Sequence, residues 1–193
     1  MTRLVHGVGI NDLPKTKYGS GEGTRCPIHM RWRNMLQRCY GEHNRPTYEG
    51  CTVCKEWLTF SNFKSWMEKQ DWEGKHLDKD LLLQSNKVYS PETCVFVDQL
   101  VNSFITEGKA SKGIHLIGVH LHKQGKFRAM CNNPFTKRNE HVGLYEEEII
   151  AHLAWKKRKH ELSYQLAHSN YVTDERVRQA LLCRYSEVDQ IYV

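Results

Sequence analysis

The chain has 193 residues, 39% hydrophobic and 26% charged, the composition of an ordinary, somewhat polar soluble protein with room for one large domain or two small ones. No apolar run approaches the roughly 18 residues that cross a bilayer, and no apolar leader follows the N-terminus, so a cytoplasmic protein with no membrane partner is expected. The formal charge of +6, with 11 histidines able to add charge in mild acid, favours a polyanionic partner such as nucleic acid. Seven cysteines in an intracellular chain suggest thiols or a metal site rather than disulfides, and an odd number leaves one unpaired.

Residues 1–25 are rich in Gly, Lys and Thr, with GVGIND near the start and KYGSGEGTR at the end. Neither glycine patch has the GxxxxGK[ST] spacing of a phosphate loop, so a flexible basic arm is expected. Residues 28–40, IHMRWRNMLQRCY, have helical spacing: Ile28, Trp32, Met35, Leu36 and Cys39 share one face, and Arg31, Arg33, Asn34 and Arg38 decorate the others. Either this is a core helix with a solvated basic side, or it brings Arg31 or Arg38 to a DNA phosphate, whose geometry a guanidinium matches. A turn-rich loop leads to Cys51-Thr52-Val53-Cys54. A C-x-x-C pair can chelate one metal across a tight turn, and Cys26 and Cys39 could complete a structural four-thiolate Zn2+ site. In the alternative, Cys39 and Cys94 are small buried hydrophobes and the C-x-x-C spacing is incidental. Residues 55–70 predict a helix capped by Thr59 or Ser61, with Trp57, Phe60, Phe63, Trp66 and Met67 as an aromatic packing stripe.

Residues 75–104 read as strand, loop, strand and helix. The first strand ends in Asp78 and Asp80 with Lys79 between them, and the loop carries Asn86 and Lys87. Ser90-Pro91-Glu92 is a turn signal before a strand over 93–97, and Asp98 can cap a helix through Leu100, Val101 and Phe104 that also carries Asn102. Carboxylates and amides where such elements converge are the plan of a single-metal nuclease site. Asp78 and Asp80, on one strand face by the period of two, can serve a hard cation such as Mg2+ or Mn2+. Hydrolysis of a phosphodiester also needs a base or metal hydroxide, and positive charge for the phosphorane. His76, on the strand face of Asp78, is the nearest imidazole, and Lys87 and Tyr89 are further candidates for phosphate contact or for orienting water.

The polar segment 107–112 reads as a linker. Beyond it, period-two patterns over 114–121, 126–131 and 140–145 are separated by the turn signals Gln124-Gly125 and Asn132-Asn133-Pro134. A helix from Glu146 to about Leu166 follows, with Ile149, Ile150, Leu153, Ala154 and Trp155 on its packing face. The expected fold class is therefore α+β: a nuclease-like domain over 26–106 with flanking helices, then a three-stranded antiparallel sheet packed on one helix over 113–168. Residues 169–193 predict a helical tail capped at Thr173-Asp174. Phe127, Ala129 and Cys131 should face the helix, leaving His120, His122, Lys126, Arg128, Met130 and Arg138 on a face that can enter a major groove.

LDKDLLLQSNKVYSPETCVFVDQLVNSF resembles the HNH, or ββα-metal, nuclease motif. By position Asp78 matches its metal-binding Asp, Lys79 falls where the general-base His usually stands, Thr93 falls near the middle Asn, and Asn102 matches the final metal ligand. Residues 25–104 are also similar to the small HNH-type endonucleases of T7-like phages, through RWRNMLQRCY, GCTVCKEW, LDKD and NKVYSPETCVFV. Without a histidine at the base position, water activation must be assigned to another group. Downstream, Gly118-Val119, Lys126-Phe127-Arg128-Ala129, Val142-Gly143-Leu144-Tyr145, Ala151 and Ala154-Trp155 carry a resemblance to the AP-two (ethylene-response-factor-like) DNA-binding domain. Together these resemblances imply a metal-dependent DNA endonuclease of the free-standing homing type, acting on double-stranded DNA with Mg2+ or Mn2+, and a monomer is expected. A DNA-binding regulator built on a degenerate nuclease is the alternative that the missing histidine favours. A protein-binding zinc-ribbon adaptor is a third, which the basic sheet disfavours.

Overall fold

The computed structural model describes residues 4–14, 26–42, 46–106 and 114–186. They form an α+β chain that divides between Phe96 and Val97 into two compact units. No helix among the described residues is long and apolar enough to cross a membrane.

The first unit grows from α1 (Pro27–Tyr40). Proline suits the first position because its missing N–H is one that a helix start leaves unpaired. Ile28, Trp32, Met35 and Leu36 are buried, as the spacing requires. Trp32 is fully buried, and its indole Nε1 donates to the Trp57 carbonyl at 2.7 Å, which leaves no stranded donor.

The helix expected over 55–70 is broken. Lys55–Leu58 is a 3-10 turn and α2 is Phe60–Met67. The break falls at Thr59, which is extended and bridges to Ile10. Neither Thr59 nor Ser61 caps α2; the Asp12 carboxylate does, accepting from the Ser61 N–H at 3.0 Å and from its hydroxyl at 2.6 Å. Residues 4–14 are accordingly not a loose arm. Val5, Val8 and Leu13 pack on the aromatic core, and Gly9 sits where any Cβ would meet Leu36 Cδ1 at 2.4 Å. The remainder of the expected arm lies outside the described residues.

Two small sheets complete this unit. β1 (Thr52–Val53) pairs in parallel with β3 (Val88–Tyr89), a pairing of two-residue strands too short to carry any periodicity. β2 (His76–Asp78) pairs with β4 (Val95–Val97). Because β2 ends at Asp78, Asp80 lies in the following loop, and the two carboxylates do not share a strand face.

In the second unit, α3 (Gln99–Thr106) begins at Asp98, whose Oδ1 accepts the Leu100 N–H at 2.7 Å. The sequence groups this helix with the N-terminal domain, but it clusters with the C-terminal half, where Phe104 and Ile105 find their partners. The expected linker, 107–112, lies outside the described residues. β5 (Val119–Leu121), β6 (Phe127–Asn133) and β7 (Arg138–Tyr145) form the expected three-stranded antiparallel sheet in the order 5-6-7. It packs on α4 (Glu148–Ala167), with Val119, Ala129 and Cys131 buried. Gly118 has φ +80°, and a Cβ there would lie 2.2 Å from the Trp155 ring, so only glycine brings the backbone this close. Ile149 and Ile150 stand exposed on the first turn of α4 instead of packing. The tail forms α5 (Glu175–Cys183), capped by Asp174, whose Oδ1 accepts the Arg176 N–H at 2.8 Å. Residues 187–193 lie outside the described ones.

Candidate functional site

The end of β2 gathers most of the charged groups that the sequence singles out. Asp78 is 9% exposed, and its Oδ1 accepts the backbone N–H groups of Asp80 at 2.9 Å and of Leu81 at 2.6 Å. This is an Asx-type turn, possible because the strand has stopped. Lys79, 8% exposed, turns inward. Its Nζ donates to the Asn86 carbonyl at 3.0 Å, faces Asp80 Oδ2 at 3.4 Å, and lies 5.9 Å from the Tyr89 ring centroid. A buried ammonium persists only with such partners.

Asn86 fastens the loop from both ends. Its side-chain amide donates to the carbonyls of Lys79 at 2.6 Å and Val88 at 2.7 Å, while Oδ1 accepts the Val88 N–H at 3.2 Å. Thr93, near the middle position of the resembled motif, donates to the same Val88 carbonyl at 2.8 Å. The local turn chemistry of Asn86 is legible in Ser85-Asn86-Lys87, but its reach back to Lys79 is not.

Tyr89 links this loop to α1. The Arg38 guanidinium donates to the Tyr89 phenol oxygen and lies 5.5 Å from the Tyr48 ring centroid. Burial acts against the Arg38 charge, but the Tyr48 and Tyr89 phenols outweigh it and raise the pKa above its ordinary value. Burial pushes the Tyr89 phenol upward, with Arg38 opposing. Burial likewise pushes the Cys39 thiol up to about 12, reinforced by Cys51 and opposed by Lys79 and Arg38. Arg38, Asp78, Lys79, Asp80 and Tyr89 thus form one seam of contacts.

The expected zinc ligands are Cys26, Cys39, Cys51 and Cys54, of which Cys51 is buried and the others are partly exposed. All seven are free thiols. Cys39 neighbours Cys51, and Cys54 neighbours Cys94, whose thiol burial pushes up to about 12. Among the described residues no group of three or more His, Cys, Asp or Glu side chains is arranged to hold a metal.

For a hard cation the donor chemistry is more favourable. Asp78 and Asp80 offer carboxylate oxygens, and Mg2+ is commonly held by one or two carboxylates, with waters and substrate phosphates completing its shell. Backbone amides on Asp78 would keep such a ligand oriented. Asn102, the remaining expected ligand, is half-buried on α3 in the second unit, where its carbonyl accepts from Thr106 Oγ1 at 2.8 Å.

The other expected site residues of the first unit have different settings. Arg31 lies 5.6 Å from both the Trp72 and Phe96 ring centroids and packs the core; burial, then the charge of Arg38, lowers its pKa. Exposed Lys87 donates to the Glu49 carbonyl at 2.8 Å and so ties two loops together. His76 is exposed at the start of β2.

In the second unit the sheet turns its outer face away from α4. Register aligns His120, Arg128 and Leu144 across the three strands and sets Met130 beside His141. Arg128 occupies the central strand, and its buried Nε has no hydrogen-bond partner among the described residues. Lys126 pairs with Glu146 at 2.5 Å. His122 lies beyond β5, its Nδ1 2.9 Å from the Lys123 carbonyl.

Arg138 is a correction. Counting by twos from Leu144 assigns it to the outer face, but Val142 is an extra residue between the pairs Gly143–Ala129 and His141–Met130. That bulge reverses the alternation, so Arg138 stands opposite Asn133, on the side of Glu140 and α4. There Glu140 accepts from Asn133 Nδ2 at 2.7 Å and from Arg158 Nε at 2.9 Å, beside a groove of about 400 Å3 between β7 and α4.

Compared with protein-family models, with curated proteins and with solved structures, the chain matches none.

Proposed function

We propose that the protein is a metal-dependent DNA endonuclease of the free-standing homing type, whose first unit carries the phosphodiester chemistry and whose second binds double-stranded DNA. The observation that carries this reading is the seam at the end of β2, in which the Asp80 carboxylate, the Lys79 ammonium, the Arg38 guanidinium and the Tyr89 phenol share contacts and the Asp78 carboxylate holds the Asp80 and Leu81 amides. Phosphodiester hydrolysis needs anionic ligands for a cation and positive charge for a phosphate whose negative charge grows in the transition state. Both are supplied here. Asp78 and Asp80 would hold Mg2+ or Mn2+, which when bound polarises the phosphate and acidifies a water. Lys79 and Arg38 provide fixed positive charge, Asn86 keeps Lys79 in place, and the Asp80 and Leu81 amides aim Asp78. His76, two residues before Asp78 on the same strand, is the group suited to receive a proton. On the sheet, His120, Arg128 and Met130 face the major groove.

The test is plasmid cleavage by the full chain with and without Mg2+ or Mn2+, comparing wild type with Asp80→Asn and His76→Ala. Wild type should give metal-dependent nicked or linear product, and His76→Ala should be slower by about 100-fold. No metal-dependent product from DNA carrying a demonstrated binding site would sink the enzyme reading. DNA affinity should fall steeply as salt rises, since phosphate contacts release counterions; affinity indifferent to salt would count against a DNA partner.

A second reading has a specific observation behind it. Asp78 Oδ1 already accepts from two amides, and Asp80 faces the Lys79 ammonium, which describes a loop that neutralises its own charge. Salt-sensitive DNA binding with no product in either metal would favour a regulator built on a degenerate nuclease.

A further inference from the structure

In the second unit, register sets His120 on β5, Arg128 on β6 and Leu144 on β7 side by side, within contact reach of one another as cross-strand neighbours are. Ala129, the next residue along β6, is fully buried on the other face, so the row looks away from α4. His120 is exposed, and Leu144 is 42% exposed. Arg128 between them has its Nε buried, with no hydrogen-bond partner among the described residues. Other cations of this unit are engaged: Lys126 with Glu146, Arg158 with Glu140 and Glu161, Arg176 with Asp174, and Arg178 with Glu175.

An arginine desolvated and unpaired at Nε is a costly side chain for a fold to keep. What covers Nε also restrains the stem, so the end of the guanidinium has less freedom to lose on binding. The row holds a guanidinium and an imidazole and no carboxylate, the complement of a groove flanked by phosphates. A guanidinium carries donors and no acceptor. In the major groove guanine presents two acceptors together, N7 and O6, while adenine and cytosine each place an amino donor there. Leu144 has neither donor nor acceptor. Against an amino group it would strand a polar atom, whereas the thymine methyl is an apolar partner. Adjacent strands lie about 4.8 Å apart and successive base pairs about 3.4 Å. Side chains one strand apart, in a row laid along the groove, therefore meet neighbouring base pairs.

We propose that Arg128 and Leu144 form a two-residue base reader: Arg128 takes guanine through N7 and O6, and Leu144 packs on the methyl of a thymine in the adjacent base pair. This rests on the DNA-binding reading of the second unit and asks nothing of the first, so it stands whether or not the protein cuts.

The experiment lets the full-length protein select duplexes from a randomised pool without added divalent metal. The preferred duplex is then rebuilt with 7-deazaguanine, which lacks the N7 acceptor, or with uracil, which lacks only the methyl. The selected sites should share a guanine with a thymine in the adjacent base pair. At those positions 7-deazaguanine should weaken wild-type binding about tenfold and uracil about fourfold. Leu144→Ala should bind the thymine and uracil duplexes equally, and Arg128→Gln should no longer favour guanine over adenine. These are ratios between duplexes for one protein, so a general loss of stability leaves them unmoved. Selected sites without that pair overturn the reader, as do analogues bound as well as the parent duplex, or variants that discriminate as wild type does. A protein that retains no duplex overturns the DNA-binding reading, and the reader with it. One that retains duplexes of every sequence alike overturns the reader alone.

Discussion

Asp78 serves both the fold and the proposed chemistry, and two substitutions separate the roles. Asp78→Ala removes the acceptor of the Asp80 N–H at 2.9 Å and the Leu81 N–H at 2.6 Å, the latter on a residue only 3% exposed. A hydrogen bond to a charged group contributes about 1.5–3 kcal/mol, and stranding a buried donor costs about 1–3 kcal/mol. Asp80 is half-buried, so water replaces part of its loss, and the expected destabilisation is about 3 kcal/mol. Asp78→Asn keeps a carbonyl oxygen in the same place, so both amides retain a weaker acceptor, at a cost of about 1 kcal/mol. The same Asn removes the anionic donor that a hard cation prefers, and cleavage should fall by about 100-fold or more. Trp32, Trp57, Trp66 and Trp72, four of the five tryptophans, belong to the first unit, so urea unfolding followed by tryptophan fluorescence reports on the unit that holds Asp78. A wild-type midpoint for Asp78→Ala, or equal destabilisation by Asn and Ala, would refute the turn argument. Wild-type cleavage by Asp78→Asn would refute the metal role.

Three further outcomes are expected. Gly118→Ala should destabilise the second unit by about 2–5 kcal/mol, combining about 1–2 for the left-handed backbone with about 1–3 for driving a methyl into Trp155; a thermal melt indicating under about 1 kcal/mol would contradict the close approach. The Arg158 hydrogen bond, then that of Asn133, holds Glu140 below its ordinary value of 4.5. Its contribution is present above 4.5 and is lost as pH falls through the depressed folded value. Glu140→Gln should therefore flatten the acid limb of stability, and urea midpoints that decline in parallel between about pH 6 and pH 3 would exclude the linkage. With a thiol reagent at about pH 8, exposed Cys183 should react at once, while buried Cys94, pushed up to about 12 by burial, waits for unfolding. Rapid labelling of Cys94, mapped by mass spectrometry, would contradict its burial.

What the sequence determines by itself is whatever depends on a few neighbouring residues. The apolar stripe of Ile28, Trp32, Met35 and Leu36 implies α1. Asp98 and Asp174 announce the starts of α3 and α5, because a cap needs only a carboxylate and the amides that follow it. Alternation through Ala129 and Cys131 implies β6 and its buried face. The charged residues Asp78, Lys79 and Asp80 stand out for the same reason, being adjacent.

Tertiary structure decides what depends on partners remote in sequence. Thr59 breaks an otherwise helical stretch because Ile10 pairs with it, and Asp12 supplies the cap that neither Thr59 nor Ser61 provides. One unpaired residue, Val142, moves Arg138 to the opposite side of the sheet, which no count by twos can anticipate. Lys79, which falls where the resembled motif carries its general-base His, is an inward ammonium, because Asn86 and Asp80 receive it. α3 follows the strand pattern of the first unit in sequence but belongs to the second in space, since Lys159 and Arg184, more than fifty residues downstream, hold Phe104 and Ile105. Periodicity and capping are short-ranged and survive in the linear text; burial of charge, register and the allegiance of a helix are set by which distant side chains arrive to meet them.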